Sequence, residues 1–376
     1  MAHHPSSPRP GLPYRVVIAP DSFKGTASAT EVATALAEGW SGVRPDDDVR
    51  LFPMADGGEG TLDAFEMAVP DAQRMAITVT GPDGRRVSTH WLLLPDGTGV
   101  IELANTSGIT MLDPLLPHDA HTHGFGQAIA AALAHGVIRL LLAIGGSAST
   151  DGGVGALVEL GGRFLDAESR PIAAGNRGLG ALARVDLTNL RALPSGGVGI
   201  LSDVTNPMLG RLGAARVYGS QKGASERDMA ILEQGLDKLA ELIPVDPATP
   251  GAGAAGGTGF GMLAWGATLA PGAVAVGEAL ALPEAVASAS VVITGEGRFD
   301  NQTAEGKVPS YVLDLAARKG TRTMLVAGLI EADASAYLAS ESLHDLAGST
   351  SDAMGDPVRW LTLAGSRLAS SVDAAR

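Results

Sequence analysis

The chain has 376 residues, with 27 Lys plus Arg against 41 Asp plus Glu for a net charge of −14, and it has no cysteine. Missing thiols exclude disulfide scaffolds, thiolate metal centres and cysteine nucleophiles, and they suit a reducing cytoplasm. The acidic balance argues against a general nucleic-acid binder or a membrane-surface protein, since both need basic surface.

Hydrophobic residues make up 45% of the chain and charged ones 18%, as expected for a folded globular protein. The length suggests about two domains. Residues 1–11 are rich in Pro, Ser and His, lack the apolar core of a secretory signal, and read as a loose tail.

The run Arg15 to Pro20 is short, apolar and β-branched, which predicts a buried strand ending in Asp21-Ser22-Phe23-Lys24-Gly25. A helix is expected from Ser28, where Glu31 completes a capping box and Val32, Ala35, Leu36 and Trp40 recur at helical spacing. A second strand, Val49 to Ala55, runs into Asp56-Gly57-Gly58-Glu59-Gly60-Thr61 and a helix carrying Leu62 and Phe65. This βαβα order starts a parallel sheet.

The pattern changes from Ala76 to Leu103, where Asp83-Gly84 and Asp96-Gly97 punctuate β-rich runs and predict an antiparallel meander. A helix over Gly126–His135 leads to a strand over Val137–Ile144 and the loop Gly145 to Gly153. Another strand, Val198 to Val204, contains Asp203 and stops at Asn206-Pro207. A polar helix over Glu226–Leu242 precedes a Pro-rich connection and Gly251 to Gly257. The charge-free run Gly259 to Gly277 has the length of a membrane span. Its Gly/Ala content, Pro271 and the following Glu278 favour a buried, tightly packed soluble segment. Val291 to Thr294 is a strand expected to enter a loop Gly295-Glu296-Gly297-Arg298-Phe299-Asp300, followed by a helix over Pro309–Lys319 and a strand over Arg322–Ala327.

The expected fold class is α/β: a Rossmann-like parallel-sheet domain formed by both chain ends, residues 12–74 and 284–376, with an inserted mixed-sheet α/β domain, residues 75–283. A ligand cleft is expected between them, beyond the carboxyl ends of the strands.

Glycine clusters in loops that also hold carboxylates, hydroxyls or cations. Single glycines commonly serve turns and caps. Repeated loops of this kind can bring backbone amides against phosphate, because no Cβ blocks the approach. Familiar motifs do not account for them. Gly306-Lys307 lacks the earlier glycine and following hydroxyl of a P-loop, and the G-x-G-x-x-G from Gly251 to Gly256 follows a Pro-rich loop rather than a strand. Gly145-Gly146-Ser147-Ala148-Ser149 lacks the last glycine of a nucleophile elbow. His118, His121 and His123 read as a polar loop before a helix. Asp56, Glu59, Asp203, Glu296 and Asp300 can supply the oxygen ligands Mg²⁺ prefers. Lys24, Arg298 and Lys307 can neutralise phosphate or clamp a carboxylate. Together these groups suit phosphoryl transfer.

These motifs, in one order, resemble the type 1 bacterial glycerate kinase family, the glycerate 2-kinases. The matching stretches are Ala19 to Gly25, Ala55 to Thr61, Ile144 to Ala148, Asp151-Gly152-Gly153 and Asp203-Val204-Thr205-Asn206-Pro207. They continue through Gln221-Lys222-Gly223-Ala224, Gly251 to Gly257, Gly295-Glu296-Gly297-Arg298, Asp300, Gln302-Thr303 and Gly306-Lys307. The resemblance covers nearly the whole chain, from about Val16 to Gly328 and beyond. It departs at Ala148-Ser149-Thr150-Asp151, where the family usually has Ala-Thr-Asn-Asp, at Ser220 in place of proline, and at Tyr311 and Leu313.

The resemblance implies ATP-dependent phosphorylation of D-glycerate with Mg²⁺. The catalytic set it suggests is Asp203 on the attacking hydroxyl, Arg298 and Lys24 on the substrate carboxylate, and Lys307 on the transferred phosphate. Ser22, Gly57, Gly58, Gly145, Gly146, Ser147, Asn206, Gly295, Gly297, Gln302 and Thr303 are candidate substrate or nucleotide contacts. Asp56, Glu59 and Asp300 are candidate metal ligands. The expected product is 2-phosphoglycerate, in the cytoplasm, with a homodimer as a candidate assembly and no nucleic-acid or membrane partner. The alternatives are a same-fold kinase giving 3-phosphoglycerate or acting on another small hydroxy acid, and, remotely, a non-catalytic sensor of small anions.

Overall fold

The computed structural model describes residues 13–23, 25–300 and 307–372. Among these residues the strands are β1 (Arg15–Pro20), β2 (Asp48–Leu51), β3 (Gln73–Thr80), β4 (Arg86–Leu93), β5 (Thr98–Glu102), β6 (Arg139–Ala143) and β7 (Arg163–Leu165). They continue with β8 (Arg184–Asp186), β9 (Val198–Leu201), β10 (Thr268–Ala270), β11 (Val291–Phe299), β12 (Arg322–Ile330) and β13 (Ser340–Ser342). The fold is α/β, with one parallel and one mixed sheet, as the sequence predicts.

The chain divides into two compact units. One takes the residues up to Pro53, those from Ala281, and those from Pro309 onward; the other takes Met54–Leu280 with Lys307 and Val308. The sequence predicts the first boundary at 74/75. The structure instead gives 54–74 to the second unit. Helix Thr61–Ala68 packs on β4 and β5, buries Leu62 and Phe65, and its Leu62 N–H donates to Glu102 at the end of β5. Chain continuity with β2 suggested the other assignment, but packing decides it.

The first unit holds a five-stranded sheet in the order β13-β12-β11-β1-β2, parallel throughout. The runs Val16–Ile18 and Val291–Ile293 are buried, as in strands covered on both faces. Helix Ala29–Val43 begins at Ser28, whose Oγ accepts from Glu31 N while Glu31 Oε2 accepts from Ser28 N. The expected apolar stripe Val32, Ala35, Leu36 and Trp40 is buried. This helix crosses Pro357–Ser371 at close range, because a Cβ on Gly39 would collide with the Thr362 carbonyl and one on Gly365 with that of Leu36.

The expected loop at Gly295 is a correction. β11 does not stop at Thr294; it continues to Phe299 and pairs with β12, Gly295 opposite Val326 and Arg298 opposite Leu329. A Cβ on Gly295 would meet the Val326 carbonyl, and one on Gly328 would meet that of Gly297. These glycines let two strand backbones run close together.

The second unit holds a six-stranded sheet ordered β10-β9-β6-β5-β4-β3. The expected meander is present as antiparallel β3, β4 and β5, and β5, β6, β9 and β10 are parallel neighbours. Strands β7 and β8 form a separate antiparallel ribbon. The core includes Phe125 and Ile129 from helix His123–His135, Leu140 and Leu142 from β6, and Phe260 and Met262 from helix Ala254–Trp265.

That last helix explains the G-x-G-x-x-G. It is broken at Ala255, Gly256 and Gly257, where φ is 53°, 67° and 86°. A Cβ on Gly256 would strike the Ser149 carbonyl, and one on Gly261 would lie 2.5 Å from the Gly152 carbonyl oxygen. The motif packs backbone against the loop after β6. Among the described residues no helix is long and apolar enough to cross a membrane.

Candidate active site

In the second unit, three candidate stretches gather at the carboxyl ends of β5, β6 and β9. The Gly145 N–H donates to the Gly57 carbonyl at 2.9 Å, and a Cβ on Gly145 would lie 2.5 Å from Gly58 Cα. Gly57 has φ of 90°, and its missing Cβ would collide with the Leu201 carbonyl at the end of β9. Gly57, Gly58 and Gly145 are therefore brought together by backbone packing that a side chain would prevent. Gly146 is exposed beside them.

The Asp56 side chain accepts from Gly58 N at 3.1 Å, a local turn that orients the carboxylate. Asp203, just beyond β9, accepts from Gly272 N at 2.7 Å. A Cβ on Gly272 would strike the Asp56 carbonyl oxygen. Gly272 opens helix Gly272–Ala279 and so ties the Asp56 and Asp203 loops to one point. Glu59 is exposed on the same turn.

Ser147 is buried, and its Oγ accepts from Lys222 Nζ at 2.8 Å. Lys222 is also buried and donates to the Ser149 carbonyl at 2.6 Å. Burial pushes the Lys222 pKa down to about 7, against the pull of the Asp151 charge. Asp151 is a buried knot: it accepts from Thr122 N and Oγ1 at 3.0 and 2.8 Å, from Gly153 N at 3.1 Å and from Gly155 N at 3.2 Å. Buried Glu102 accepts from Leu62 N at 3.1 Å. Burial raises its pKa to about 7, while the backbone N–H groups of Leu62 and Gly60 act the other way.

Asn206 is committed to the protein. Its Nδ2 donates to the Leu212 carbonyl and its Oδ1 accepts from the Tyr218 hydroxyl, each at 2.8 Å. The three histidines reach separate carboxylates or each other: His118 meets Asp228 at 2.9 Å, His123 meets Glu159 at 2.9 Å, and His121 lies edge-on to His123 with ring centroids 4.9 Å apart. Among the described residues no group of three or more His, Asp or Glu side chains is arranged to hold a metal ion.

The first unit contributes its own set. Asp21 N donates to the Gly295 carbonyl at 2.8 Å, and Ser22 N donates to Asp21 Oδ1 at 2.6 Å. Arg298 projects to solvent from β11; its Nε donates to Glu331 Oε2 at 2.8 Å and lies 3.6 Å from Asp300 Oδ2. Gly295 and Gly297 lie within that strand. Lys307 is half-buried. Lys24, Gln302 and Thr303 lie outside the described residues.

A family model described as the glycerate kinase family matches residues 16–373. The chain belongs to the glycerate kinase family. It is thus a kinase. It is 40% identical to the glycerate 2-kinase of Escherichia coli strain K12 over 332 residues, covering 85% of this chain and 86% of that one. It is 39% identical to the glycerate kinase of Bacillus subtilis strain 168, over 86% of this chain and 87% of that one. A crystal structure of a Salmonella typhimurium LT2 protein proposed to be glycerate kinase 2 superposes with a TM-score of 0.83 at 37% identity, covering 96% of this chain and 99% of that one.

Sequence reasoning did not single out Lys222, Glu102 or Gly272 as site residues. Lys222 sits in Gln221-Lys222-Gly223-Ala224, one of the stretches that carry the family resemblance, so that signal was present. Glu102 reads as the polar end of a strand, and Gly272 lies in the charge-free run, where nothing in the pattern marks it.

Proposed function

We propose that this glycerate kinase family member transfers the γ-phosphoryl group of ATP to D-glycerate with Mg²⁺, giving 2-phosphoglycerate. The observation that carries the reading is the meeting of the Asp56 and Asp203 loops at Gly272, alongside the glycine loop that ends in Ser147. The name of the Escherichia coli relative supports the 2-product.

The residues fit the metal. The second unit's cluster offers hard oxygen donors, and Mg²⁺ commonly takes one or two carboxylates plus substrate phosphates rather than an all-protein cage. Asp56 would hold it, with Glu59 on the same turn as a further candidate directly or through water; Asp300 belongs to the first unit, beside Arg298. When bound it neutralises phosphate charge. Gly57, Gly58, Gly145, Gly146 and Ser147 would line the phosphates with amides and a hydroxyl, where no side chain stands in the way.

Asp203 orients the attacking hydroxyl and receives its proton. The glycerate oxygen forms a bond to the γ-phosphorus as the bond to the β-phosphate oxygen breaks, so the electron pair leaves with ADP. The Gly272 N–H bond to Asp203 Oδ1 holds that carboxylate in place at the end of β9. Arg298 would receive the glycerate carboxylate in exchange for its present partner Glu331, and Lys24 and Lys307 would add positive charge. Asn206 supports the loop after β9 through its two side-chain bonds. The absence of cysteine fits a cytoplasmic setting.

The test is ATP consumption with D-glycerate present, absent, or replaced by other small hydroxy acids, in each case with and without Mg²⁺. Consumption that needs both D-glycerate and Mg²⁺ is expected. Turnover independent of glycerate, or none at all, overturns the proposal.

A further inference from the structure

We propose that Lys222 is a positioning residue for phosphoryl transfer, which sets the direction of the Ser147 hydroxyl without itself touching a ligand. The inference rests on the reading that Ser147 faces the transferred or nucleotide phosphates.

Lys222 closes the short helical turn Ser220–Lys222 and is buried to 3% exposure. Burying an amine is costly unless its hydrogens are used. Here Nζ donates to two oxygens of one loop, Ser147 Oγ at 2.8 Å and the Ser149 carbonyl at 2.6 Å. These two bonds link residues 75 and 73 positions apart in sequence and fasten the Ser147–Ser149 segment of the glycine-rich loop.

The consequence is chemical as well as mechanical. A hydroxyl has one proton and two acceptor lone pairs. With a lone pair of Ser147 Oγ occupied by the amine, its proton is directed away from Lys222 and serves as a donor. A phosphate oxygen is an acceptor, so this is the polarity a phosphate-binding serine needs. The Asp151 charge, the acid that faces Lys222 from the same loop, opposes the effect of burial on the amine. Both charge states of the amine keep at least two N–H donors, so the two bonds survive in either. The loop is also held by the Asp151 carboxylate on Thr122 and by Asn176, whose Nδ2 donates to the Thr150 carbonyl at 2.8 Å; neither touches the Ser147 hydroxyl.

The experiment is a double-mutant cycle of Lys222→Met and Ser147→Ala in the full chain, with melting temperature and steady-state kinetics for each protein. Methionine keeps the unbranched stem and removes the donors, so the fold is expected to persist. Losing a hydrogen bond to a charged group or leaving a buried one unmade corresponds to roughly a 10- to 100-fold change. Lys222→Met is expected to lower kcat/KM for ATP by about that factor with little change in melting temperature, and to have little further effect once Ser147→Ala is present. Lys222→Gln, which keeps a shorter donor, is expected to recover part of the loss; it also carries the comparison should the methionine variant not fold. An effect of Lys222→Met that is undiminished in the Ser147→Ala background overturns the inference, as does full activity of a folded Lys222→Met protein while Ser147→Ala is impaired. Full activity of Ser147→Ala instead removes Ser147 from the phosphates, which is the failure of the underlying reading and leaves a different signature.

Discussion

Two glycine-rich stretches that look alike on paper do different physical work. Asp56-Gly57-Gly58-Glu59-Gly60-Thr61 is a turn against which the loop after β6 packs, with Gly57 in the left-handed region and its carbonyl bonded to Gly145. Gly295-Glu296-Gly297-Arg298 is a strand, paired residue by residue with β12, and its glycines admit a neighbouring backbone. In the first stretch glycine shapes a surface beside Asp56 and Asp203. In the second it tightens a sheet, and Arg298 projects from that strand to pair with Glu331. A glycine beside a charge is therefore no sign of a phosphate loop until the backbone partner of that glycine is known.

Substitutions can break or sharpen this contrast. The largest effect is expected at Asp203. A positioned base contributes about 10²–10⁴-fold, so Asp203→Asn should lower kcat by that range with the melting temperature held; an unchanged kcat takes Asp203 out of the chemistry.

Glycine replacements come next and should separate the two regions. Gly272→Ala drives a methyl into the Asp56 carbonyl and displaces the turn that carries the carboxylate. Misplacement by about 1 Å can cost roughly 100-fold, so kcat/KM should fall on that scale. Gly295→Ala drives a methyl into β12 and should instead cost about 1–3 kcal/mol of stability, with the folded fraction retaining its kcat. A Gly295→Ala protein of normal stability and poor turnover would return Gly295 to the binding surface.

A pH effect on stability is expected from Glu102. Its folded pKa is raised from 4.5 to about 7, chiefly by burial. The folded state then binds more protons than the unfolded chain between those values. The stability contributed by Glu102 is full below pH 4.5 and is lost as pH rises to about 7, by about 3 kcal/mol in the limit. Glu102→Gln keeps an acceptor for Leu62 N and should flatten that decline in denaturant titrations across the window. An unchanged slope would show that Glu102 is not the group responsible.

The smallest effect is expected at Glu331. Its pair with Arg298 is exposed, and such pairs are worth about 0–1 kcal/mol. Glu331→Gln should leave stability nearly unchanged and lower KM for glycerate, because the guanidinium loses the nearer of its two competing carboxylates, Asp300 remaining at 3.6 Å. An unaltered KM would argue that Arg298 does not hold the substrate.

Much of the fold is legible along the chain wherever local chemistry decides it. Ser28 with Glu31 starts a helix, Glu226 to Leu242 forms the expected helix behind a Ser225–Asp228 capping box, and the Asp83-Gly84 and Asp96-Gly97 turns fold the meander. Partners far away in sequence are less legible. β11 outruns its apolar segment because β12 lies alongside it, and residues 54–74 join the second unit because Leu62 meets Glu102. Of the candidate site, the residues gathered in the second unit were read from motif chemistry. Lys222 and Gly272 act through contacts that span tens of residues, and a single sequence does not display these.

The central claim is glycerate phosphorylation, and phosphorus NMR of the wild-type reaction tests it most directly. With ATP, Mg²⁺ and D-glycerate, we predict loss of the γ-phosphate signal matched by a new phosphomonoester coupled to the proton on the second carbon of glycerate. No glycerate phosphomonoester, with ATP intact or hydrolysed only to inorganic phosphate, would contradict the account. A phosphomonoester on the third carbon would keep the kinase and contradict the assigned product.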